Sequence, residues 1–194
     1  DKTNISNYLP DTSLENQVYL ETSGEYYLYN RKSNTENGEN INGNGITGHD
    51  ETSEDFLNSW EIVLSPGIDA KKCRLKNYLL KNRKKIITEL DIFYLIYRNN
   101  TKITITGTNG KSTTCQMLFR IFKSSNFDVR LVGNIGNPPL LEKNITRKTF
   151  FIIEASSYQI VYSKFFKTDH AAILNLSIDH LERHGSINDY ANAK

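Results

Sequence analysis

The run Lys102-Ile103-Thr104-Ile105-Thr106-Gly107-Thr108-Asn109-Gly110-Lys111-Ser112-Thr113 constrains this chain more than any other feature. Its first five residues are largely β-branched and suit a strand, and the residues from Lys111 onward suit a helix. The glycines between them let the backbone turn so that its N–H groups point at an anion. The helix N-terminus adds positive potential there, Lys111 adds a full charge, and the Ser112 hydroxyl is a ligand type that Mg²⁺ accepts. Strand, glycine turn and helix in that order require an α/β layer with a phosphate-binding loop. One departure stands out. The usual pattern places a glycine five positions before Gly110, where this chain has Ile105. A glycine-rich turn that merely caps a helix is the alternative, and the flanking strand and helix weigh against it.

The segments around this run extend the same pattern. Met117, Leu118, Ile121 and Phe122 fall at helical spacing and are expected to form the buried face of the helix. Val129 to Val132, Phe150 to Ala155 and Ala171 to Leu176 are further strand candidates, each followed by polar residues. In an open α/β sheet ligands bind at the carboxyl ends of strands, so those polar residues should converge on one crevice. Upstream, Trp60 to Leu64 reads as a buried strand closed by Ser65-Pro66-Gly67. A helix from Lys71 to Lys81, a strand at Lys85 to Ile87 and an amphipathic helix from Glu89 to Tyr97 follow. Gln17 to Tyr29 suits one or two strands, with a hairpin about Ser23-Gly24. Asn30 to Asp50 is rich in Asn and Gly with almost no apolar periodicity, and is expected to be a mobile loop or insertion.

Composition mainly excludes. Twenty-four Lys and Arg against twenty-two Asp and Glu leave a formal charge of +2, too weak to favour nucleic acid or an anionic membrane. The longest apolar runs fall far short of the ~20 residues that span a bilayer. Cys73 and Cys115 sit in no CxxC or Cys/His cluster and read as free thiols. The N-terminal Asp1-Lys2-Thr3 opens no apolar signal region.

Three further clusters carry candidate chemistry. Glu154 ends the run Phe150-Phe151-Ile152-Ile153, which sets a carboxylate at the carboxyl end of a strand, where a metal-holding acid sits in phosphoryl-transfer proteins. A lone Glu there is more often a solvated loop residue, and only the phosphate loop reverses that. In Asn175-Leu176-Ser177-Ile178-Asp179-His180-Leu181-Glu182-Arg183-His184-Gly185-Ser186, His180 could ligate a metal with Asp179 orienting it, or both could be surface residues. Ser186 and Asp189 form an S-x-x-D capping pair, so Ile187 to Lys194 should be helical. Gly133-Asn134-Ile135-Gly136-Asn137-Pro138-Pro139 suits close approach by a ligand, and equally a plain connecting turn.

Taken together, GTNGKST, GNIG, EASSYQ, NLSIDHLERHGS and a final YANAK resemble the successive motifs of the Mur ligase family. Ser156-Ser157-Tyr158-Gln159, with the upstream Ser65-Pro66-Gly67-Ile68, is most similar to the branch that adds D-glutamate to UDP-N-acetylmuramoyl-L-alanine. The resemblance implies a parallel-sheet, ATP-binding central domain over residues 98–194, incomplete, behind a smaller Rossmann-like substrate domain over residues 1–97 that is truncated or divergent. Gly107, Thr108, Asn109, Gly110, Lys111, Ser112 and Thr113 would bind the ATP phosphates. Ser112 and Glu154 would hold one Mg²⁺ and His180 the other. Lys194 resembles the family lysine that is carbamylated into a bridging ligand. Lys111, His180 and Lys194 would thus be catalytic. Asn134, Ser156 and Gln159 would face the muramoyl-alanine end of the substrate, and Ser65 and Gly67 its uridine.

The implied protein is a cytoplasmic, monomeric ligase of peptidoglycan synthesis that works on small molecules, with no nucleic acid or membrane partner. The implied reaction is phosphoryl transfer from ATP to the alanine carboxylate, followed by attack of the D-glutamate amine on the acyl phosphate. Residues 1–50 lack the Gly-rich strand, turn and helix with which the family usually opens, and the family continues beyond Lys194. A fragment inactive by itself is therefore expected. Two alternatives remain: a nucleotide-binding module without catalysis, and the family branch that adds the third amino acid.

Overall fold

The computed structural model describes residues 17–20, 26–29, 46–47, 59–73 and 75–194. It divides into two compact units, Asp1–Glu89 and Leu90–Lys194. The sequence had suggested a division after residue 97, whereas here helix Glu89–Ile96 falls almost wholly in the second unit.

The first unit is built on strands β1 (Gln17–Leu20), β2 (Tyr26–Tyr29), β3 (Ile46–Thr47), β4 (Glu61–Leu64) and β5 (Ile86–Ile87), in the order β3-β2-β1-β4-β5. β1 is parallel to β4, and β4 to β5. β2 runs antiparallel to both β1 and β3. The Rossmann-like expectation thus fits the parallel half of a mixed sheet. The hairpin is present as the β1–β2 pair, with Ser23-Gly24 outside the described residues. Of the Asn-rich segment only Ile46–Thr47 is described, and it is a strand rather than loop. Ile62, Val63, Leu64, Leu79, Ile86 and Ile87 are buried. Helix α1 (Lys76–Lys81) starts later than the expected Lys71. The reason is Asp69, whose side chain accepts the Lys71 N–H at 2.9 Å while its carbonyl accepts those of Lys72 and Cys73 at 3.0 and 2.8 Å. Such a local bond offers the backbone a turn in place of a helix.

The second unit contains α2 (Glu89–Ile96), β6 (Lys102–Thr106), α3 (Lys111–Ser124), β7 (Val129–Gly133), β8 (Phe150–Glu154), α4 (Ser157–Ile160), β9 (His170–Ile173), α5 (Leu181–His184) and α6 (Ile187–Ala193). Its sheet is wholly parallel in the order β7-β8-β6-β9. Ile105 pairs with Glu154 and Gly133 with Glu154, while Thr106 pairs with Ile173. The carboxyl ends of all four strands therefore finish at one level, and everything after them faces one edge of the sheet.

The buried face of α3 differs from the expected one. Cys115 is fully buried, and Leu118, Phe119 and Phe122 pack with it against Ile105, Val129 and Ile152. Met117 and Ile121 instead point to solvent, at 59% and 56% exposure. Positions 115, 118, 119 and 122 follow the i, i+3, i+4, i+7 spacing of a single stripe, and 117 and 121 lie off it. A second tether comes from α2. The carboxylate of the fully buried Asp91 accepts the N–H groups of Lys164, Phe165 and Phe166 at 2.9, 2.7 and 2.9 Å, fixing the chain that leads into β9. Among the described residues no helix is long and apolar enough to cross a membrane.

Candidate active site

The turn from β6 to α3 spans only residues 107–110. Ile105, at the position where a longer loop would carry glycine, is a buried strand residue that bonds Ala155 across the sheet. The loop therefore starts at Gly107, whose φ is +144°, and a Cβ there would meet Leu174 and Asn175 backbone nitrogens at 3.2 and 3.3 Å. Gly110 caps α3 with φ +82°. The loop is held from the β9 side. Thr108 N–H donates to Asn175 O at 3.0 Å, Asn109 N–H to Asn175 Oδ1 at 2.8 Å, and Asn175 Nδ2 to Asn109 O at 3.0 Å. Lys111 folds back so that Nζ donates to Gly107 O at 2.9 Å and Thr108 O at 2.8 Å. Ser112 and Thr113 are exposed on the first turn of α3.

At the end of β8, Glu154 is 1% exposed. Its Oε1 accepts a hydrogen bond from Asn134 Nδ2 at 2.8 Å, and its Oε2 is buried with no partner. A buried carboxylate oxygen left unpaired is costly. A cation would satisfy it. Among the described residues no three His, Cys, Asp or Glu side chains gather to hold a metal. The unpaired Glu154 Oε2 is a donor of the type Mg²⁺ takes, since that ion is held by one or two carboxylates and completed by phosphate oxygens and water.

Lys194, which caps α6, reaches back to the loop. Its Nζ donates to Thr106 Oγ1 at 3.0 Å and Gly107 O at 2.9 Å, so the Gly107 carbonyl serves both lysines. Burial, then repulsion from Lys111, lowers the Lys194 amine to about 8, with Asp179 opposing. Tyr190, 1% exposed, fastens α6 to the loop. Its hydroxyl lies 3.1 Å from Thr108 Oγ1, and its ring lies 5.1 Å from the Lys194 ammonium. The sequence reading missed Tyr190, Thr106 and the bracing role of Asn175, all of which act through contacts distant along the chain.

His180 is exposed and left-handed, with φ +53°. Its ring nitrogens lie 3.5 Å from Asp179 Oδ2 and 3.7 Å from Glu182 Oε1, and its ring packs on Tyr158 at 4.9 Å. It also meets the Tyr190 ring edge-on at 6.3 Å. Ser156 and Gln159 form a reciprocal capping box on α4, so their side chains are engaged with each other and with the backbone. Ser157 pairs with the buried His184 at 2.9 Å. Ser65 and Gly67 lie in the other unit, where Ser65 O accepts the Ile68 N–H at 3.0 Å in a turn.

A parallel sheet with a phosphate loop after one strand and a buried carboxylate after its neighbour defines a nucleotide-binding α/β domain of the P-loop kind. Residues 105–194, just under half of the chain, match the Mur ligase middle domain. Among the chain's relatives is a UDP-N-acetylmuramoylalanine–D-glutamate ligase of Bacteroides fragilis, 36% identical over 157 residues that cover 79% of this chain and 35% of the relative. A ligase of the same name from Francisella philomiragia is 34% identical and covers 74% of this chain and 36% of its own length. One from Rickettsia prowazekii is 38% identical, covering 69% and 29%. The chain spans about a third of the length of these curated relatives. A solved UDP-N-acetylmuramate:L-alanyl-γ-D-glutamyl-meso-diaminopimelate ligase from Neisseria meningitides aligns with a TM-score of 0.47 at 16% identity, over 72% of this chain and 48% of that one.

Proposed function

We propose that this chain is the nucleotide-handling part of an ATP-dependent ligase that joins D-glutamate to UDP-N-acetylmuramoyl-L-alanine in peptidoglycan synthesis. What supports the reading is that Lys111 and Lys194 share the Gly107 carbonyl just after β6, while Glu154, with one buried oxygen unpaired, closes the adjacent strand β8. The names and identities of the relatives favour D-glutamate as the amino acid added.

In this reading the amides of residues 107–113 wrap the triphosphate, and Lys111 exchanges its contacts with Gly107 O and Thr108 O for phosphate oxygens. Glu154 and Ser112 would hold one Mg²⁺, and His180 with a carbamylated Lys194 would hold a second. When bound, the metal neutralises charge on the transferring phosphoryl group. The γ-phosphoryl passes to the alanine carboxylate, the D-glutamate amine attacks the acyl carbon, and phosphate leaves. The chain's own groups position and neutralise, and no protein nucleophile is needed. An amine at about 8 is half neutral near pH 8, which suits addition to CO₂: an N–C bond forms and a proton is released. Lys194 would then carry a carboxylate in place of a cation. In the second unit Asn134, Ser156 and Gln159 would serve the muramoyl-alanine end of the substrate, and in the first unit Ser65 and Gly67 its uridine.

The test is phosphate release by the full-length protein with defined substrates. Release requires UDP-N-acetylmuramoyl-L-alanine, ATP and D-glutamate together. Equal rates with L-lysine or diaminopimelate on the dipeptide substrate would assign the chain to the branch that adds the third amino acid.

A further inference from the structure

Glu154 departs from the other buried carboxylates of its unit. Glu142 uses both oxygens, Oε1 on Asn137 Nδ2 at 2.8 Å and Oε2 on Arg130 Nε at 3.1 Å. Asp91 takes three backbone N–H groups. Glu154 has one oxygen bonded, by Asn134, and the other buried and bare. An ionised carboxylate only accepts, so the Asn134 amide must present its nitrogen here.

We propose that Asn134 is a positioning residue for Glu154: by occupying Oε1 it turns Oε2 toward the phosphate loop, where a divalent cation on the nucleotide is captured. The surroundings are built to keep it there. Asn134 N–H donates to Glu154 O at 2.9 Å, so backbone and side chain of one residue grip the same glutamate. Gly133 lies so close that a Cβ would stand 2.3 Å from Glu154 O. The far side of the loop is braced independently. Asn137 N–H donates to Leu131 O at 3.2 Å, Asn137 Nδ2 is fixed on Glu142, and Glu142 is fixed on Arg130, which also pairs with Asp128. A loop that served only as a connector would not need its first side chain on a buried acid.

This inference rests on the ligase reading and assigns Asn134 a role toward the cation in addition to the substrate side. The experiment uses the full-length protein, with Mn²⁺ as the probe read by electron paramagnetic resonance in the presence of ATP. Asn134→Ala should weaken Mn²⁺ binding to the ATP complex about tenfold, as loss of a hydrogen bond to a charged group implies. Metal-free ATP binding, which uses Lys111 and the loop, should stay within twofold. Asn134→Gln, which retains the donor, should recover most of the Mn²⁺ affinity. Should Asn134→Ala fail to fold, Asn134→Leu, similar in volume and without a donor, carries the same expectation. Unchanged Mn²⁺ affinity with a raised KM for the UDP-linked substrate would overturn the proposal and leave Asn134 a substrate contact. Absence of Mn²⁺ and ATP binding by the unmutated protein would instead refute the ligase reading itself.

Discussion

Replacing Gly133 with alanine tests how closely the loop after β7 is pressed against the acid of β8. Gly133 has φ +106°, and an added Cβ would lie 2.3 Å from Glu154 O, 3.2 Å from its carbonyl carbon and 3.3 Å from its nitrogen. All three are backbone atoms of a central strand, so the side chain cannot swing aside. A non-glycine residue forced into this region costs about 1–3 kcal/mol. Moving the carbonyl away breaks its bond from Asn134 N–H and leaves a buried acceptor unpaired, a further ~1–3 kcal/mol. Together these are a large fraction of the roughly 5–15 kcal/mol that stabilises a domain. For a unit the size of Leu90–Lys194, a thermal melt should show Tm lower by about 8 °C or more. Gly110→Ala is the control. It has φ +82° but meets only Leu174 Cδ1, at an ordinary 3.5 Å, so it should cost only the backbone strain, about 1–3 kcal/mol. Gly133→Ala melting within 2 °C of the unmutated protein, or above Gly110→Ala, would refute the packing argument.

Lys194, lowered to about 8 chiefly by burial, is protonated below that pH and neutral above it. Its acetylation rate, followed by peptide mass spectrometry, should rise with pH and level off above about 8, while exposed lysines keep accelerating toward 10; a Lys194 midpoint near 10.5 contradicts this. Cys115 is fully buried, and burial with the Glu154 charge pushes its thiol up to about 12. A thiol reagent at pH 8 should therefore leave it unmodified until denaturant unfolds the protein. Asp91→Ala strands three N–H groups and should lower stability by about 2–4 kcal/mol, with faster hydrogen exchange at Lys164, Phe165 and Phe166.

Much of the second unit was legible because its signals are local. The strand, turn and helix from Lys102 onward, the carboxylate closing Phe150–Ile153, and the helix set by Ser186 and Asp189 each lie within a few residues. Ser186 Oγ accepts the Asp189 N–H at 3.1 Å, as the spacing implied. The α3 face was misread because apolar Met117 and Ile121 sit off the stripe defined by Cys115, a residue that periodicity arguments tend to overlook. Helix α1 was overextended because one Asp side chain redirected the backbone. Tyr190 on Thr108, Asn134 on Glu154 and Asp91 on the chain before β9 were beyond reach. Each joins residues 20 or more apart, and neither partner carries a local mark of the other.

In the proposed function the strand ends assemble a site for a metal-bound triphosphate around Lys111. Calorimetric titration of Mg²⁺ and ATP into the full-length protein and its Lys111→Ala variant tests it directly. Saturable binding to one site, weakened at least about tenfold by the substitution, is the predicted result. Equal affinity in the two proteins would contradict the account.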